Sequence, residues 1–541
     1  MSSEREKLIE IWLDSAGERQ YQFAFRNSLL TASYTILHDT SHTALELGKD
    51  VIAVAPNGEL IAYQLKGNPG GRITISQWHE LIPQINALVH QPIFHPAVKN
   101  GTPHTPFLVT NGEIHEDVLA AIAAYNSSVS ANSPKARGLR TIARGQLLRM
   151  FFDSADTLWP AGIQTQRNIL NVYAAAGNDE LPIREFVEIL SSVLRGKYSD
   201  TAIPAVHLVT AILASNWIGH ENYFELVKMY TLLAISAACY QARWKRQRAK
   251  DKRFFDEIMF DVRSQTLSFI DDLLNNYKRP VFLNRDAFNE FGYYHPRKKM
   301  IAGVISAALL DRDMPLNQQQ RDGLRDLVCN MKHSKFMLWE GIVPCCLAEF
   351  WALSNFQGTR EPDRRLAILA NDILNSNGQE NPDYHLPGPY YSLGDVVRWK
   401  YKTLLQNFRS NIDQDDHYRR SWFVDAIFMV LVRRNYKQTC KLLWPSVTRF
   451  THIRTQLPDS VSFGPMPCEN AISEEKLIDT RTQKNWDDLT KEASETATPE
   501  IPTELLSRPF LTLLYCLFLP QRMDRNVILW LDRQFCKSSW Y

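Results

Sequence analysis

Asp50, Gln64 and Lys66 stand at the ends of two apolar runs within ELGKDVIAVAPNGELIAYQLK, residues 46–66. A carboxylate, an amide oxygen and an ammonium group gathered on one surface suit a divalent cation and phosphodiester hydrolysis. A hard cation takes oxygen ligands. It polarises a scissile phosphate and lowers the pKa of an attacking water. A lysine beside it orients that water and offsets the charge developing on the phosphate. Lys66 closes a mostly apolar strand, where an ordinary core residue would not be charged. The structural alternative is a lysine that runs its stem along an edge strand and keeps its head in water.

These residues share a surface only if the chain between them folds as a hairpin of the right register. Residues 50–55 and 59–66 are rich in Val, Ile, Leu, Ala and Tyr, and Pro56-Asn57-Gly58 separates them. Asn-Gly alone suggests a two-residue turn. Pro56 fixes φ near the value of the second position of a type I turn, which leaves Gly58 to take the left-handed position of a bulge. That three-residue loop sets Val54 opposite Leu60, Ile52 opposite Ala62 and Asp50 opposite Gln64. Opposed residues, and residues two apart on a strand, share a face. Asp50, Gln64 and Lys66 then converge at the open end. A two-residue turn would put Asp50 on the other face.

At these residues the chain resembles the PD-(D/E)XK nucleases, in particular Mrr-like restriction endonucleases and effector nucleases of bacterial antiphage defence. In that family an Asp opens the hairpin, here Asp50, and an acidic residue, any residue and Lys close it, here Gln64-Leu65-Lys66. Gln in place of the acid is a departure that the family contains. The resemblance implies Mg²⁺, with Mn²⁺ able to substitute, and cleavage of double-stranded DNA. It implies Asp50, Gln64 and the Leu65 backbone carbonyl as metal ligands, with Lys66 completing the catalytic set. A neutral amide offers a metal one oxygen and no charge, so a further carboxylate is needed. Glu18 and Glu46 are the candidates. Glu18 is equally well read as a solvated helix residue, and Glu46 as a cap of the preceding turn. Lys49 and Gln77 are candidates for lining the site or touching phosphate.

The elements around the hairpin read as helix (4–13 and 18–37), hairpin, helix (74–88), strand (107–110), helix (115–125) and strand (139–143). That order fits an α/β sandwich, the restriction endonuclease-like arrangement. From about residue 146 long apolar-periodic segments alternate with short polar breaks, which indicates a large all-α region. The expected divisions are a nuclease domain over 1–148, helical domains over 149–375 and 390–454, a flexible linker or long loop over 455–508, and C-terminal docking helices over 509–541.

The 541 residues hold 61 basic and 59 acidic side chains, a net charge of +2, and residues 1–150 hold thirteen of each. No global field draws the chain to nucleic acid, so any such contact is a local patch. The densest basic run is residues 243–253. If it is one helix, Arg243, Arg246, Lys250 and Arg253 form a stripe that suits a phosphate backbone; otherwise it is a solvated helix face. The eight cysteines are scattered without a CxxC pair, which predicts reduced thiols and a cytoplasmic protein. The apolar runs Ile203–Ile218 and Tyr230–Tyr240 contain His, Ser or Asn and are expected to be buried helices, with no membrane partner. There is no GxxxxGK(S/T), no GxGxxG after a strand, no GxSxG and no HExxH. ATP hydrolysis would therefore come from a partner, such as an ATPase or a signal-producing enzyme of the same system, and the helical region would serve sensing or homo-oligomer formation. The other readings are an inactive nuclease-fold scaffold and a sequence-specific restriction enzyme.

Overall fold

The turn at Pro56-Asn57-Gly58 has the form its residue types require. Gly58 N donates to Ala55 O at 2.9 Å, and Ala55 N donates to Glu59 O at 2.9 Å. Gly58 sits at φ +84°, in the left-handed region that glycine enters without a Cβ clash. The Asn57 side-chain oxygen accepts from Glu59 N at 3.0 Å. Strands β2 (Val51–Val54) and β3 (Leu60–Lys66) therefore pair antiparallel with Val54 opposite Leu60 and Ile52 opposite Ala62. This is the expected register for these pairs; Asp50 lies just beyond the ladder, and its N–H donates at 2.8 Å to the O of Tyr63, the residue opposite Val51.

The computed structural model describes residues 9–10, 12–14, 16–39, 49–99, 101–132, 136–156, 163–177, 180–195, 198–199, 202–244, 249–276, 289–330, 339–355, 361–400, 417–457, 460–465, 476–480, 484–495 and 498–536. With β1 (Thr35–Asp39), β4 (Thr105–Thr110) and β5 (Arg140–Ile142), the hairpin builds one five-stranded sheet in the order β1-β2-β3-β4-β5. β1 and β2 are antiparallel, whereas β3, β4 and β5 run parallel. Both faces are covered, as a parallel ladder requires. On one face Val51, Ala53, Ile61, Tyr63 and Leu65 pack with Tyr21 and Phe25 of helix α1 (Glu18–Thr31). On the other, Ile52, Leu60 and Ala62 pack with Trp78, Ile85 and Leu88 of α2 (Ile75–His90), and with Val118 of α3 (Glu116–Asn132). The result is a helix–sheet–helix sandwich.

Two expectations need correction in this unit. The first long helix does not run to residue 37. It stops at Thr31, where Ser33 takes φ +66°. Tyr34 N donates to Leu29 O and Ser33 N to Leu30 O, each at 2.9 Å, which is the paired closure of a helix C-terminus, here without glycine. Tyr34–Asp39 then turns back, and Thr35–Asp39 becomes the edge strand beside β2. Second, the expected boundary at 148 lies inside a compact unit that spans Met1–Met229. Helices α4 (Arg144–Asp156) and α7 (Ala202–Gly219) supply Leu147, Phe151, Leu208 and Ile212 to the same core as α1. Between them lie α5 (Ile163–Ala174) and α6 (Ile183–Leu194). The run Ile203–Ile218 lies within α7, a buried helix as expected: by length and composition it could cross a membrane, but 78% of that stretch is buried within the fold.

The second unit, Tyr230–Tyr541, is mostly helical. It is not all-α. Arg420–Ser421, Thr451–Gln456 and Lys476–Thr480 form a three-stranded sheet. Residues 455–508, expected as a linker, contain the last of these strands and helices at Trp486–Ser494 and Thr503–Leu506. The unit's first helices are Tyr223–Arg243, which begins in the first unit, and Ala249–Asn276.

An alanine Cβ at Gly58 would meet no atom within 4 Å, so its cost is conformational alone. Gly58→Ala should lower unfolding free energy by about 1 kcal/mol, read as a fall in urea midpoint at constant slope. An unchanged midpoint would show that the left-handed bulge does not hold the hairpin register.

Candidate functional site

The open end of the hairpin brings Asp50 and Gln64 into contact. Gln64 Nε2 donates to Asp50 Oδ2 at 2.6 Å, and the backbone N–H of Leu65 donates to the same oxygen at 2.6 Å. Both side chains are buried, at 5% and 4% exposure. The contact fixes the amide orientation, because the reverse would set two oxygens against each other. It leaves Gln64 Oε1 buried with no hydrogen-bond partner among the described residues. A buried amide oxygen without a donor carries a desolvation cost of about 1–3 kcal/mol, which a cation or a water would relieve.

Lys66 lies two residues further along β3, with 23% of its side chain exposed. Its Nζ stands 3.7 Å from Glu18 Oε2, which also accepts from Gly67 N at 3.3 Å. Glu18 opens α1, so the helix start and the strand end meet here. Gly67 permits the approach, since a Cβ there would fall 2.7 Å from Glu18 N. Tyr21, one turn along α1, closes the contact. Its hydroxyl accepts from Lys66 N at 3.1 Å and lies 3.1 Å from Lys66 O and 3.2 Å from Val109 O. Burial holds the Tyr21 hydroxyl protonated, well above the usual phenol range, and the Glu18 and Asp50 carboxylates push the same way. Tyr21 is the residue that sequence reasoning missed. Its only signal was its place one helical turn after Glu18.

Asn111 ties this corner from behind. Its Nδ2 donates to Leu13 O at 2.8 Å and Ala16 O at 2.7 Å, and its Oδ1 accepts from Asn68 N at 2.8 Å. The segment before α1 is thus fastened to the loops that follow β3 and β4.

The other candidates divide. Lys49 is buried, and its Nζ donates to Ala87 O at 3.2 Å, near the C-terminus of α2. Helix carbonyls at that end attract a cation, which gives Lys49 a structural partner in place of a phosphate. Burial lowers its pKa from 10.5 to about 8. Beside it His104 meets Leu88 O at 2.7 Å, and burial holds this imidazole below its ordinary range. Gln77 closes the capping box of α2. Its Oε1 accepts from Thr74 N at 2.9 Å, and Gln77 N donates to Thr74 Oγ1 at 3.4 Å. It is a helix cap rather than a site-lining residue. The Leu65 carbonyl is 3.4 Å from Gln64 Nε2. Glu46 lies outside the described residues. So does Arg246, and with it the expected stripe. Arg243 ends its helix with its guanidinium 5.5 Å from the Trp244 ring, while Lys250 and Arg253 belong to the next helix. Among the described residues no three His, Cys, Asp or Glu side chains cluster as a ligand set. The donors gathered here are one carboxylate, one amide oxygen and a backbone carbonyl, with the Glu18 carboxylate at the same corner.

No protein family, curated protein or solved structure matches this chain.

Two outcomes follow from these contacts. Tyr21→Phe leaves the partly buried Lys66 N–H without this acceptor and should cost roughly 1–3 kcal/mol, measured by denaturant unfolding; a loss below ~0.5 kcal/mol would remove Tyr21 from the corner's support. For Lys49, both folded and unfolded chains hold the proton below about pH 8, and neither holds it above pH 10.5. Between these values only the unfolded chain is protonated there, so stability should rise with pH. Lys49→Met should lack that share of the rise when its unfolding midpoints are compared with wild type across the interval; parallel curves would refute it.

Proposed function

We propose that the first unit is a metal-dependent nuclease of the restriction endonuclease-like, PD-(D/E)XK type, cleaving double-stranded DNA. The observation that carries this reading is Gln64 Oε1, a buried oxygen without a donor among the described residues, on a residue that also touches Asp50. An oxygen set of Asp50, Gln64 and the Leu65 carbonyl fits Mg²⁺ or Mn²⁺, with waters completing the shell. When bound, such an ion supplies polarisation of the phosphate and a more acidic water. The chain's own residues do the rest. Asp50 is oriented by Leu65 N and Gln64 Nε2. Lys66, partly exposed, offers an ammonium to the phosphate. Glu18 sets the position of that ammonium and adds the negative charge that Gln64 lacks.

The surrounding biology rests on the resemblance: a cytoplasmic effector of bacterial antiphage defence, with a helical second unit that senses a trigger, assembles copies or meets an ATPase or signal-producing partner. One observation favours a second reading. Asp50 Oδ2 already receives two donors, as it would in a nuclease-fold scaffold whose polar pair is structural.

Two measurements separate the readings. Plasmid is incubated with Mg²⁺ or Mn²⁺, wild type beside Lys66→Ala, with candidate activators present. Cleavage that falls roughly 100-fold or more in the variant supports the nuclease; intact plasmid with both proteins refutes it. Discrete fragments would indicate a sequence-specific enzyme, and complete degradation a non-specific effector. Independently of activity, Gln64→Glu sets two carboxylates side by side, which raises the proton affinity of the pair. Its melting temperature should fall in chelator and recover with Mn²⁺. A variant that stays equally destabilised with and without metal would show that no cation binds there.

A further inference from the structure

The second unit contains a cavity of about 220 Å³ between the helices Val424–Arg433, Lys437–Val447 and Trp486–Ser494. Its walls are aromatic: Phe428, Trp444 and Trp486. Phe428 and Trp444 pack on each other at 5.7 Å between ring centroids. An apolar cavity of about 150 Å³ holds benzene, so this one has room for a larger ring. Cys440 lines it, and burial pushes that thiol up to about 12, so it stays neutral.

The edge of the cavity is cationic. Lys437, Lys441 and Lys484 line it and are exposed, and no acidic side chain is among its lining residues. Two of the three already have partners. Lys437 Nζ lies 5.6 Å from the Trp486 ring centroid, and Lys484 Nζ meets Glu492 Oε2 at 2.6 Å. Lys441 forms no ion pair or hydrogen bond among the described residues. A ring inserted between these walls would stack on tryptophan, and a negative group attached to it would emerge beside Lys437 and Lys441. An uncharged apolar ligand would gain the walls but not the lysines. A bare anion would gain the lysines, which in water are worth little.

We propose that this cavity binds a small planar aromatic anion, a ring system bearing a phosphate or carboxylate. Two sources share that chemistry, a nucleoside monophosphate and an aromatic carboxylic acid. The test is calorimetric titration of the full chain with adenosine 5′-monophosphate and with indole-3-acetate, beside uncharged adenosine and indole. At least one anion should saturate with a Kd near or below ~1 mM, and its uncharged counterpart should bind about tenfold more weakly. Whichever anion saturates identifies the source. Lys441→Glu, a change at an exposed side chain, should abolish the preference for the anion without altering the melting temperature. Trp486→Phe should weaken both charged and uncharged ligands. Neither anion saturating, equal affinity for charged and uncharged forms, or binding indifferent to Lys441→Glu would each overturn the proposal.

Discussion

The carboxylate of Asp50 holds the open end of the hairpin as firmly as Gly58 holds the closed end. Its Oδ2 receives a backbone N–H from Leu65 and a side-chain N–H from Gln64, both at 2.6 Å. Hydrogen bonds to an ionised acceptor are about twice as strong as neutral ones, and these two are nearly shielded from water. They lock β2 to β3 beyond the last pair of the ladder. They also fix which way the Gln64 amide faces. Everything at the site follows from that orientation, because it decides that an oxygen, not an N–H, is left over.

The second constraint is steric. Glu18 N and the position of a Cβ at Gly67 are too close for any residue but glycine. The start of α1 is therefore pressed against the end of β3, and Tyr21 and Asn111 spend their polar atoms holding it there. A glutamate that would otherwise be solvated is brought to the lysine of the strand. The α1 helix in turn rests on α7, whose residues Ala205, Leu208 and Ile212 belong to the same core. The segment after the sandwich is thus part of the support of the site, not a separate attachment.

Much of this was legible in the sequence. The turn chemistry of Pro56-Asn57-Gly58 determined the register, and the register determined that Asp50 meets Gln64. The alternation of β2 and β3 and the apolar faces of α2 and α3 gave the layers. What was hidden has physical reasons. Helix α1 ends on a left-handed serine, and without glycine the sequence carries no stop signal at Ser33. Helix α7 is apolar on all sides, so its periodicity does not reveal which neighbours bury it. The strands Thr451–Gln456 and Lys476–Thr480 are short and polar, and only their pairing makes them strands. Gln77, by contrast, was legible as a cap, since Thr74 three residues before it makes the capping-box spacing, and the box is formed. Tyr21 acts through backbone atoms of Lys66, and no spacing rule connects a helix residue to a strand amide 45 positions away.

Gln64 gives the site a different balance from a paired-acid site. Two buried carboxylates side by side repel unless a proton or a cation lies between them. An amide in that position removes the repulsion, donates to Asp50, and lets the buried corner form without a cation. In the proposed metal site the same exchange would remove one negative charge from the ligands, so attraction for a divalent ion would depend more on the carboxylate that α1 contributes. Glu18 sits 3.7 Å from Lys66, a distance at which its charge is shared between the ammonium and whatever approaches from solvent. In the proposed site the position of α1 would then matter to chemistry as well as to packing: a shift of that helix start would move Glu18, the carboxylate at this corner that, among the described residues, is not held inside the hairpin.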